Sequence, residues 1–323
     1  MYTITPYTKD HFEQWNNFVS MSKNGTFLFH RDFMEYHADR FEDYSLIIFE
    51  NQNPVALLPA HKVDDVIYSH WGLTYGGLVL SNKTKLTDVI HIVKQILQYL
   101  HENGLSRLNI KAIPHIYHKV PAEELEYVLY LVNAKIIRRD SLSVYDYQSG
   151  ISFSKDRKKC IRRAATMGLV ITEEPAFELF WKEILIPNLN AKHEAAPVHT
   201  AAEITALHKK FPDNIRHFNV YYNNVIVAGT TVFITDTVAH PQYISGNKDK
   251  NQLGSLDYLY AFLINDVFKD KKYFDFGISN EQQGRKLNGG LAFWKESFGA
   301  RTMVHDFYEV ETANFGMLQY VLI

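Results

Sequence analysis

The chain has 323 residues, 46% of them hydrophobic, and a formal net charge of −2 at pH 7. That length and apolar content suffice for the cores of two ordinary domains. A near-neutral net charge excludes a protein that captures nucleic acid through a basic surface of domain size. The single cysteine excludes an internal disulfide, no run approaches the roughly 20 apolar residues of a membrane span, and the N-terminal segment lacks the pattern of a secretion signal. We therefore expect a cytoplasmic protein.

The first half of the sequence alternates between strand and helix patterns. Asparagines at 51 and 53 separate two apolar runs and predict a hairpin, because Asn tolerates the left-handed turn conformation. Apolar residues recur at helical spacing over 86–100. In chain order, this half is predicted to contain a strand at 3–7, helices over 11–21 and 31–40, a strand pair over 44–63, strands within 66–81, a helix over 86–100, a strand at 108–114, a helix over 122–132 and a strand at 142–148.

The second half repeats this pattern. Helices are predicted over 155–167 and 177–189, followed by three strands over 216–246 with a turn at Asn223-Asn224. Two hairpins turned by asparagines, each followed by a helix and a strand, predict a tandem duplication of one mixed α/β domain. A small polar stretch at 148–152 marks the boundary. The predicted domains are therefore residues 1–148 and 149–323.

The segment from Tyr243 to Gly299 is the most informative part of the chain. Its pattern predicts a strand, a polar loop, a helix, a second strand, a loop and a second helix. Ser255 is expected to cap the first of these helices. The second strand carries Asp275, and the second helix presents Lys295. A helix N-terminus beside an open strand edge attracts an anion.

These motifs resemble those of the Fem-type peptidyltransferases and of the superfamily of GCN5-related N-acyltransferases (GNAT). The matching pieces are YFDFG at 273–277, FWKESFGA at 293–300, the basic stretch KDRKKCIRRAATMGLVI at 155–171, HWGLTYGGLVL at 70–80 and LNIKAIP at 108–114. The resemblance implies a mixed α/β fold of two tandem GNAT-like domains, each a mostly antiparallel sheet flanked by helices. It also implies that the second domain carries the acyl-donor site.

In the GNAT fold two neighbouring strands part, and the helix that follows binds the pyrophosphate of coenzyme A. The resemblance places this opening between the strand that ends at Ser245 and the strand that begins at Tyr273. The residues implied to contact the donor are Ser245, Gly246, Lys248, Lys250, Gln252, Leu253, Gly254 and Ser255. Backbone N–H groups of 252–254 are the expected phosphate donors. The family pattern Q/R-x-x-G-x-G/A is altered here at Asn251 and Leu256, and the same loop also fits a helix cap whose charges face water.

Three side chains are candidates for catalysis. Lys295 matches the lysine of the family's F-K-x-x-F-G pattern, which implies that it stabilises negative charge on the tetrahedral intermediate. The alternative is a surface lysine paired with Glu296 or Asp275. Asp275 is expected to orient the acceptor amine or to receive its proton, or else to be the structural partner of a cation, and Tyr258 is expected to give a proton to the leaving thiolate.

Three further residues are candidates for substrate binding. Arg162 lies in the basic helix and is expected to grip phosphates of a nucleotide-linked or transfer-RNA substrate, although such a helix can also be simply solvated. His199 follows Pro197 in a loop that we expect near the substrate entrance rather than at a metal site. Tyr75 is the third candidate, and no metal ligand set is predicted.

We therefore predict an N-acyltransferase that moves an acyl group from acetyl-coenzyme A or another acyl-coenzyme A to an amine, with no metal and no covalent enzyme intermediate. The resemblance alone implies that the acceptor is a small molecule, or an amino-sugar or peptide amine of a cell-envelope precursor. Two alternatives stay open. One is a Fem-type peptidyltransferase that uses aminoacyl transfer RNA, and the other is a binding module that has kept the fold and lost catalysis.

Overall fold

The computed structural model describes residues 2–193 and 196–323. The chain folds into two compact units. The first unit consists of Met1–Asp140 together with Val304–Ile323, and the second consists of Ser141–Met303. The chain thus leaves the first unit once and returns to it near its end.

The compact units differ in two places from the predicted domains, 1–148 and 149–323. The first unit ends at Asp140, in the middle of a long strand. The chain also re-enters the first unit at Val304, again within a strand. A polar stretch such as 148–152 is a natural linker signal, but a strand that continues across a boundary carries no such signal. The predicted division stays a prediction about domains.

The segment up to residue 146 contains these strands and helices: β1 (Tyr2–Pro6), α1 (Phe12–Met21), α2 (Arg31–Met34), β2 (Glu42–Asp43), β3 (Leu46–Glu50), β4 (Asn53–Leu58), β5 (His61–Val63), β6 (Val66–Tyr68), β7 (Val79–Leu80), α3 (Leu86–Glu102), β8 (Arg107–Lys111), α4 (Glu124–Leu131) and β9 (Lys135–Asp146). The helix predicted over 31–40 is helical throughout, but it tightens into a 3-10 helix from Glu35.

The rest of the chain contains α5 (Lys155–Ala165), β10 (Val170–Glu173), α6 (Phe177–Phe180), α7 (Ile186–His193), α8 (Ala201–Lys210), β11 (Ile215–Tyr222), β12 (Val225–Ile234), β13 (Val238–Gly246), α9 (Lys250–Leu253), α10 (Ser255–Phe262), β14 (Tyr273–Ile278), β15 (Asn280–Glu281), β16 (Lys286–Leu287), α11 (Gly289–Glu296) and β17 (Arg301–Glu311). Turns of π-helix, Trp181–Leu185 and Leu263–Val267, join α6 to α7 and extend α10.

In the first unit, β1, β3, β4 and β7 form an antiparallel sheet in the order β1-β3-β4-β7. The remaining strands are ordered β17-β8-β6-β5-β2, with β6 parallel to β8 and the other neighbours antiparallel. Helix α3 buries one apolar face in the core of the first unit, as its spacing predicts. The buried residues of that face are Val89, Ile90, Ile92, Val93, Ile96, Leu97 and Leu100.

In the second unit the strand order is β10-β11-β12-β13-β14-β9. All neighbours are antiparallel except β13 and β14, which run parallel. The core beneath this sheet is rich in aromatic rings, among them Tyr260, Phe274, Phe276 and Phe298. These rings pack between the sheet and helices α10 and α11. Many of the aromatic residues of the chain thus contribute to this core.

Both asparagine turns form as predicted. Asn51 and Gln52 have φ values of 47° and 69° between β3 and β4, and Asn223 and Asn224 have φ values of 49° and 61° between β11 and β12. Asparagine tolerates this left-handed region better than most residues, because its short polar side chain bonds locally. The predicted mixed α/β fold with mostly antiparallel sheets is confirmed.

Candidate active site

Strands β13 and β14 part shortly after they meet. Among the described residues they pair at two positions, Val238 with Tyr273 and Ala239 with Phe274. From the next residue of each strand onward the ladder is open. Beyond that point β13 keeps its antiparallel partner β12 on one side and pairs with no described residue of β14 on the other; we call this separation of the two strands the gap. This is the opening that the resemblance places before the polar loop.

Local irregularities explain why the ladder stops there. Pro241 in β13 has no N–H to donate, and the pairing of β13 with β12 shifts register at Gln242. On the opposite side of the gap, β14 shifts register against β9 between Asp275 and Ile278. Bulges and prolines bend a strand and end its pairing. The two strands therefore diverge because each is distorted just beyond the last paired residue.

A histidine and a carboxylate face each other at the start of this gap. The Nδ1 atom of His240 lies 3.2 Å from Oδ2 of Asp275 and 3.0 Å from its backbone oxygen. Both partners are acceptors, so Nδ1 carries the hydrogen and donates it. The other carboxylate oxygen of Asp275 accepts the backbone N–H of Gly277 at 2.8 Å. Asp275 is buried, whereas the His240 side chain keeps 14% of its surface exposed.

Gly277 is required where it stands. Its φ is +73°, a region that side-chain-bearing residues rarely adopt. A Cβ at this position would also lie 3.2 Å from Cε1 of His240. Glycine therefore permits both the bulge of β14 and the close approach of the imidazole ring.

Lys295 on α11 fixes the end of β14. Its side chain is 4% exposed, and Nζ donates to the backbone oxygens of Gly277 at 2.9 Å and Ile278 at 2.6 Å. Burial lowers the pKa of Lys295 to about 8, and the charge of Asp275 opposes part of this shift. The surface lysine paired with Glu296 that the sequence left open is therefore not what the structure shows.

The predicted donor loop is mostly helical. Residues 250–253 form α9, in which the N–H of Leu253 bonds the oxygen of Asp249 at 2.9 Å and that of Gly254 bonds the oxygen of Lys250 at 2.9 Å. Two of the amides expected to bind phosphate are thus already satisfied within the protein. Gln252 is exposed on α9 and Lys248 is exposed before it.

The residues at the end of β13 are tied to a neighbouring helix. The amide nitrogen of the Asn188 side chain donates to the Ser245 hydroxyl and to the Gly246 oxygen, both at 2.8 Å. Asn188 belongs to α7. Ser245 and Gly246 are therefore held in place from the helix side of the sheet.

The predicted capping role of Ser255 is wrong. Gly254 is the residue before α10, with a φ of +67°, and Ser255 is the first helical residue. The hydroxyl of Ser255 is buried and makes no hydrogen bond with any part of the chain that the structure describes. The junction between α9 and α10 needs a left-handed residue, which glycine supplies at no steric cost.

Helix α5 packs over this junction. A Cβ at Gly254 would lie 3.0 Å from Cβ of Ala164, and Nη2 of Arg163 donates to the oxygen of Asn251 at 3.2 Å. Arg157 points inward, forms an ion pair with Asp257 on α10 and donates from Nε to the Ser297 hydroxyl at 2.8 Å. The exposed cations of α5 are Lys155, Lys158, Lys159, Arg162 and Arg163.

The remaining candidates lie away from the gap or are enclosed. Tyr258 is half-buried on α10 and packs against the aromatic core. His199 is buried, and its Nδ1 lies 2.5 Å from the Tyr243 hydroxyl; the loop before it includes residues 194 and 195, which lie outside the described residues. Tyr75 belongs to the first unit, where it is buried and donates to the Thr26 hydroxyl at 3.1 Å. His199 and Tyr75 are therefore not surface groups.

Sequence reasoning missed His240. It stands within a strand pattern, beside Pro241, and no metal-ligand or catalytic spacing marks it. Its partnership with Asp275 depends on the parallel placement of two strands that are 35 residues apart in the chain. The proline directly after it, within the strand pattern, is the signal in the sequence that pairing can stop there.

Among the described residues no group of three or more His, Cys, Asp or Glu side chains is placed to hold a metal ion. In the same residues, no helix combines the length and the apolar character that crossing a membrane requires.

Solved structures share this fold. FemX is 9% identical, with a TM-score of 0.66, over 98% of this chain and 99% of that chain. L-PGS from Bacillus licheniformis is 11% identical, with a TM-score of 0.61, over 95% of each chain. A tandem GNAT protein from the clavulanic acid biosynthesis pathway is 11% identical, with a TM-score of 0.52, over 97% of this chain and 99% of that chain.

At these identities the likeness establishes the fold. The predicted resemblance to Fem-type and tandem GNAT proteins is therefore confirmed at the level of the fold. No protein-family model matches the sequence, and no curated protein matches it.

Proposed function

We propose that this protein is an N-acyltransferase that moves an acyl group from a coenzyme A thioester to an amine. The observation that carries the proposal is the gap between β13 and β14, which opens after two residue pairs and is lined at its start by His240 and Asp275. The tandem GNAT protein of similar fold is described as being without AcCoA, and the resemblance to GNAT proteins motivates an acyl-coenzyme A as the donor class proposed here.

The gap suits the extended arm of such a donor. Beyond Ala239, β13 forms no further pairs with β14 among the described residues, and backbone N–H and C=O groups are strong hydrogen-bonding groups. A pantetheine arm carries amide groups of the same kind and can replace the missing strand. The donor's carbonyl would then lie near the entrance formed by His240 and Gly277.

The phosphates of the donor would lie at the surface beside the junction of α9 and α10, since Ser255 at the start of α10 is itself buried. Lys248 is exposed in the loop before α9 and the cations of α5 are exposed beside the same junction. Because two loop amides are already bonded, we assign the phosphate contacts chiefly to these cations. Lys250 is the second basic residue of this loop.

Lys295 and Tyr258 complete the proposed machinery. Two of the three N–H groups of the Lys295 ammonium donate hydrogen bonds to backbone oxygens. We assign the lysine a positioning role and a stabilising field for the negative charge of the tetrahedral intermediate. Tyr258 is proposed to protonate the leaving thiolate. The acceptor is proposed to be a cytoplasmic small molecule or an amino-sugar or peptide amine of a cell-envelope precursor.

The exposed cations of α5 favour a second candidate, an aminoacyl transfer RNA as donor. Five cations on one short helix can contact several phosphates, although the chain as a whole is slightly acidic. Such binding weakens steeply as salt rises. The double variant Lys159→Glu with Arg162→Glu would reduce both the affinity for RNA and its salt dependence.

The proposal is tested by thermal stability with acetyl-coenzyme A, longer acyl-coenzyme A species, free coenzyme A and aminoacyl transfer RNA. A ligand at 100 times its dissociation constant stabilises the folded state by about 2.7 kcal/mol. We expect an acyl-coenzyme A to raise the melting temperature, and Lys248→Glu to reduce that rise.

The matched control is Lys269→Glu. Lys269 is exposed and follows the π-helical extension of α10, at the end of that helix opposite to Lys248. The ligand response of this variant should equal that of the unmodified protein. A response to transfer RNA alone would favour the second candidate. No response to any of these ligands would contradict both and favour a binding module without catalysis.

A further inference from the structure

We propose that His240 is the group that takes the proton from the acceptor amine, and that Asp275 is the positioning residue that holds its ring. This inference rests on the proposed acyl transfer and names a residue of that site which the sequence motifs do not contain. It is carried by the placement of a histidine and a buried carboxylate on the two strands that part, at the position where their pairing ends.

The ring of His240 is held in one orientation. Its Nδ1 faces two acceptors of the same residue, the side-chain and backbone oxygens of Asp275, at 3.2 and 3.0 Å. A ring nitrogen between two acceptors must carry the hydrogen. In the neutral ring the lone pair is therefore on Nε2. Nε2 forms no hydrogen bond with any described residue, so the nitrogen that carries the lone pair is available to accept a proton from a substrate.

The carboxylate is itself held by further bonds. Gly277 donates its N–H to Asp275, and Lys295 donates to the carbonyl of Gly277. These contacts run in series from Lys295 through Gly277 and Asp275 to His240. Groups that orient a histidine in this way fix its tautomer. The carboxylate of Asp275 on β14 faces the ring, and Lys295 on α11 lies beyond it in this series.

Asp275 cannot itself meet the amine. It is 1% exposed, and its two carboxylate oxygens are directed at the N–H of Gly277 and at the ring of His240. His240 keeps part of its surface open. The sequence-based expectation that Asp275 receives the proton is therefore replaced by an indirect role.

The proposed reaction is nucleophilic attack of the neutral amine on the thioester. The lone pair of the amine nitrogen forms a bond to the acyl carbon, and the bond from that carbon to the leaving sulfur breaks with its electron pair on sulfur. The proton lost by the nitrogen goes to Nε2 of His240. Tyr258 gives a proton to the leaving thiolate, and the imidazolium passes its proton through water to the tyrosinate, which restores both groups.

The first measurement needs no substrate. A long-range 1H–15N correlation spectrum of the 15N-labelled protein reports which nitrogen of each neutral imidazole carries hydrogen, and His240 is assigned by the signals lost in His240→Gln. We expect hydrogen on Nδ1 in the neutral ring of His240, and a change of that pattern in Asp275→Asn. Hydrogen on Nε2 in the unmodified protein would overturn the inference while leaving the proposed acyl transfer intact.

The second measurement is turnover of acyl-coenzyme A with a panel of amines. Asp275→Asn and His240→Gln are expected to lower kcat by about 100-fold or more, in the range of general-base catalysis, with little change in the donor's KM. The acid limb of the kcat profile against pH should disappear in His240→Gln. The control is His115→Asn, an exposed histidine of the first unit.

Turnover whose rate and acid limb survive in His240→Gln would overturn the inference alone. Absence of both donor binding and turnover in the unmodified protein would overturn the proposed function, and the role of His240 with it.

Discussion

The buried ammonium group of Lys295 donates hydrogen bonds to two backbone oxygens. Burying a charge costs free energy unless it is well hydrogen-bonded, and the two carbonyls at the end of β14 repay part of that cost. The remaining cost shows in the pKa of the group, which burial lowers to about 8. This residue therefore couples the geometry of the site to the pH dependence of folding.

Between pH 8 and 10.5 the unfolded chain holds a proton on this lysine that the folded chain has released, so the stability of the folded protein rises with pH in that window. Lys295→Met removes this term. We expect the free energy of unfolding of the unmodified protein, relative to the variant, to rise by up to about 3 kcal/mol across the window. Urea denaturation at pH 7.5, 9 and 10.5 measures it, and parallel profiles of the two proteins would contradict the account.

At this scale the sequence predicted part of the site. Lys295 and Asp275 were found because a family pattern marks them, and both lie beside the gap. Ser255 was assigned a capping role from its residue type, but the structure gives that place to Gly254 because the junction requires a left-handed residue. His240 was missed because its partner is distant in the chain.

At the scale of elements, helix α6 packs closely on strand β12 at Gly229. Among the described glycines of the second unit, Gly229 is the one at which an added Cβ would lie closest to a neighbouring atom. A Cβ at Gly229 would lie 2.6 Å from Cδ2 of Phe180 and 2.8 Å from Oδ1 of Asn219. Phe180 and Asn219 are both fully buried. Neither can move without disturbing the interior, because Asn219 also bonds His217 and Glu174.

Gly229→Ala is therefore expected to lower the free energy of unfolding by about 1–3 kcal/mol, as overpacking of a filled core does. The control is Gly290→Ala in α11, where the nearest atom to the new Cβ is 3.8 Å away. That variant is expected to be unchanged or more stable by about 0.5–1 kcal/mol. Urea midpoints compare the two, and an unchanged midpoint for Gly229→Ala would show that the helix and strand are less closely packed.

The sequence predicts those elements that are determined by interactions between residues close together in the chain. The hairpins at Asn51 and Asn223 follow from turn chemistry, and α3 follows from its apolar spacing. The separation of β13 and β14 is predicted from the family resemblance alone, since hydrophobic periodicity does not indicate which neighbouring strands fail to pair. The helix α9 within the expected phosphate loop was missed because four residues are too few for a periodic signal.

At the scale of the whole molecule, the chain is slightly acidic yet exposes a cluster of cations on α5. Composition excludes a basic surface of domain size, but the charge of a local cluster can be balanced by acidic residues elsewhere in the chain. The division into units illustrates the same limit. Linker composition favoured a boundary at 148–152, whereas the chain changes units within β9 and again within β17.

The fold is shared with proteins only 9–11% identical in sequence, so the function must be argued from the gap in the second unit. The most direct test is a crystal structure with a thioether analogue of acetyl-coenzyme A, which cannot transfer its acyl group. We predict the pantetheine arm between β13 and β14, with the acyl carbon near His240 and the phosphates near Lys248. An arm bound elsewhere, or an empty gap at saturating ligand, would contradict the proposed function.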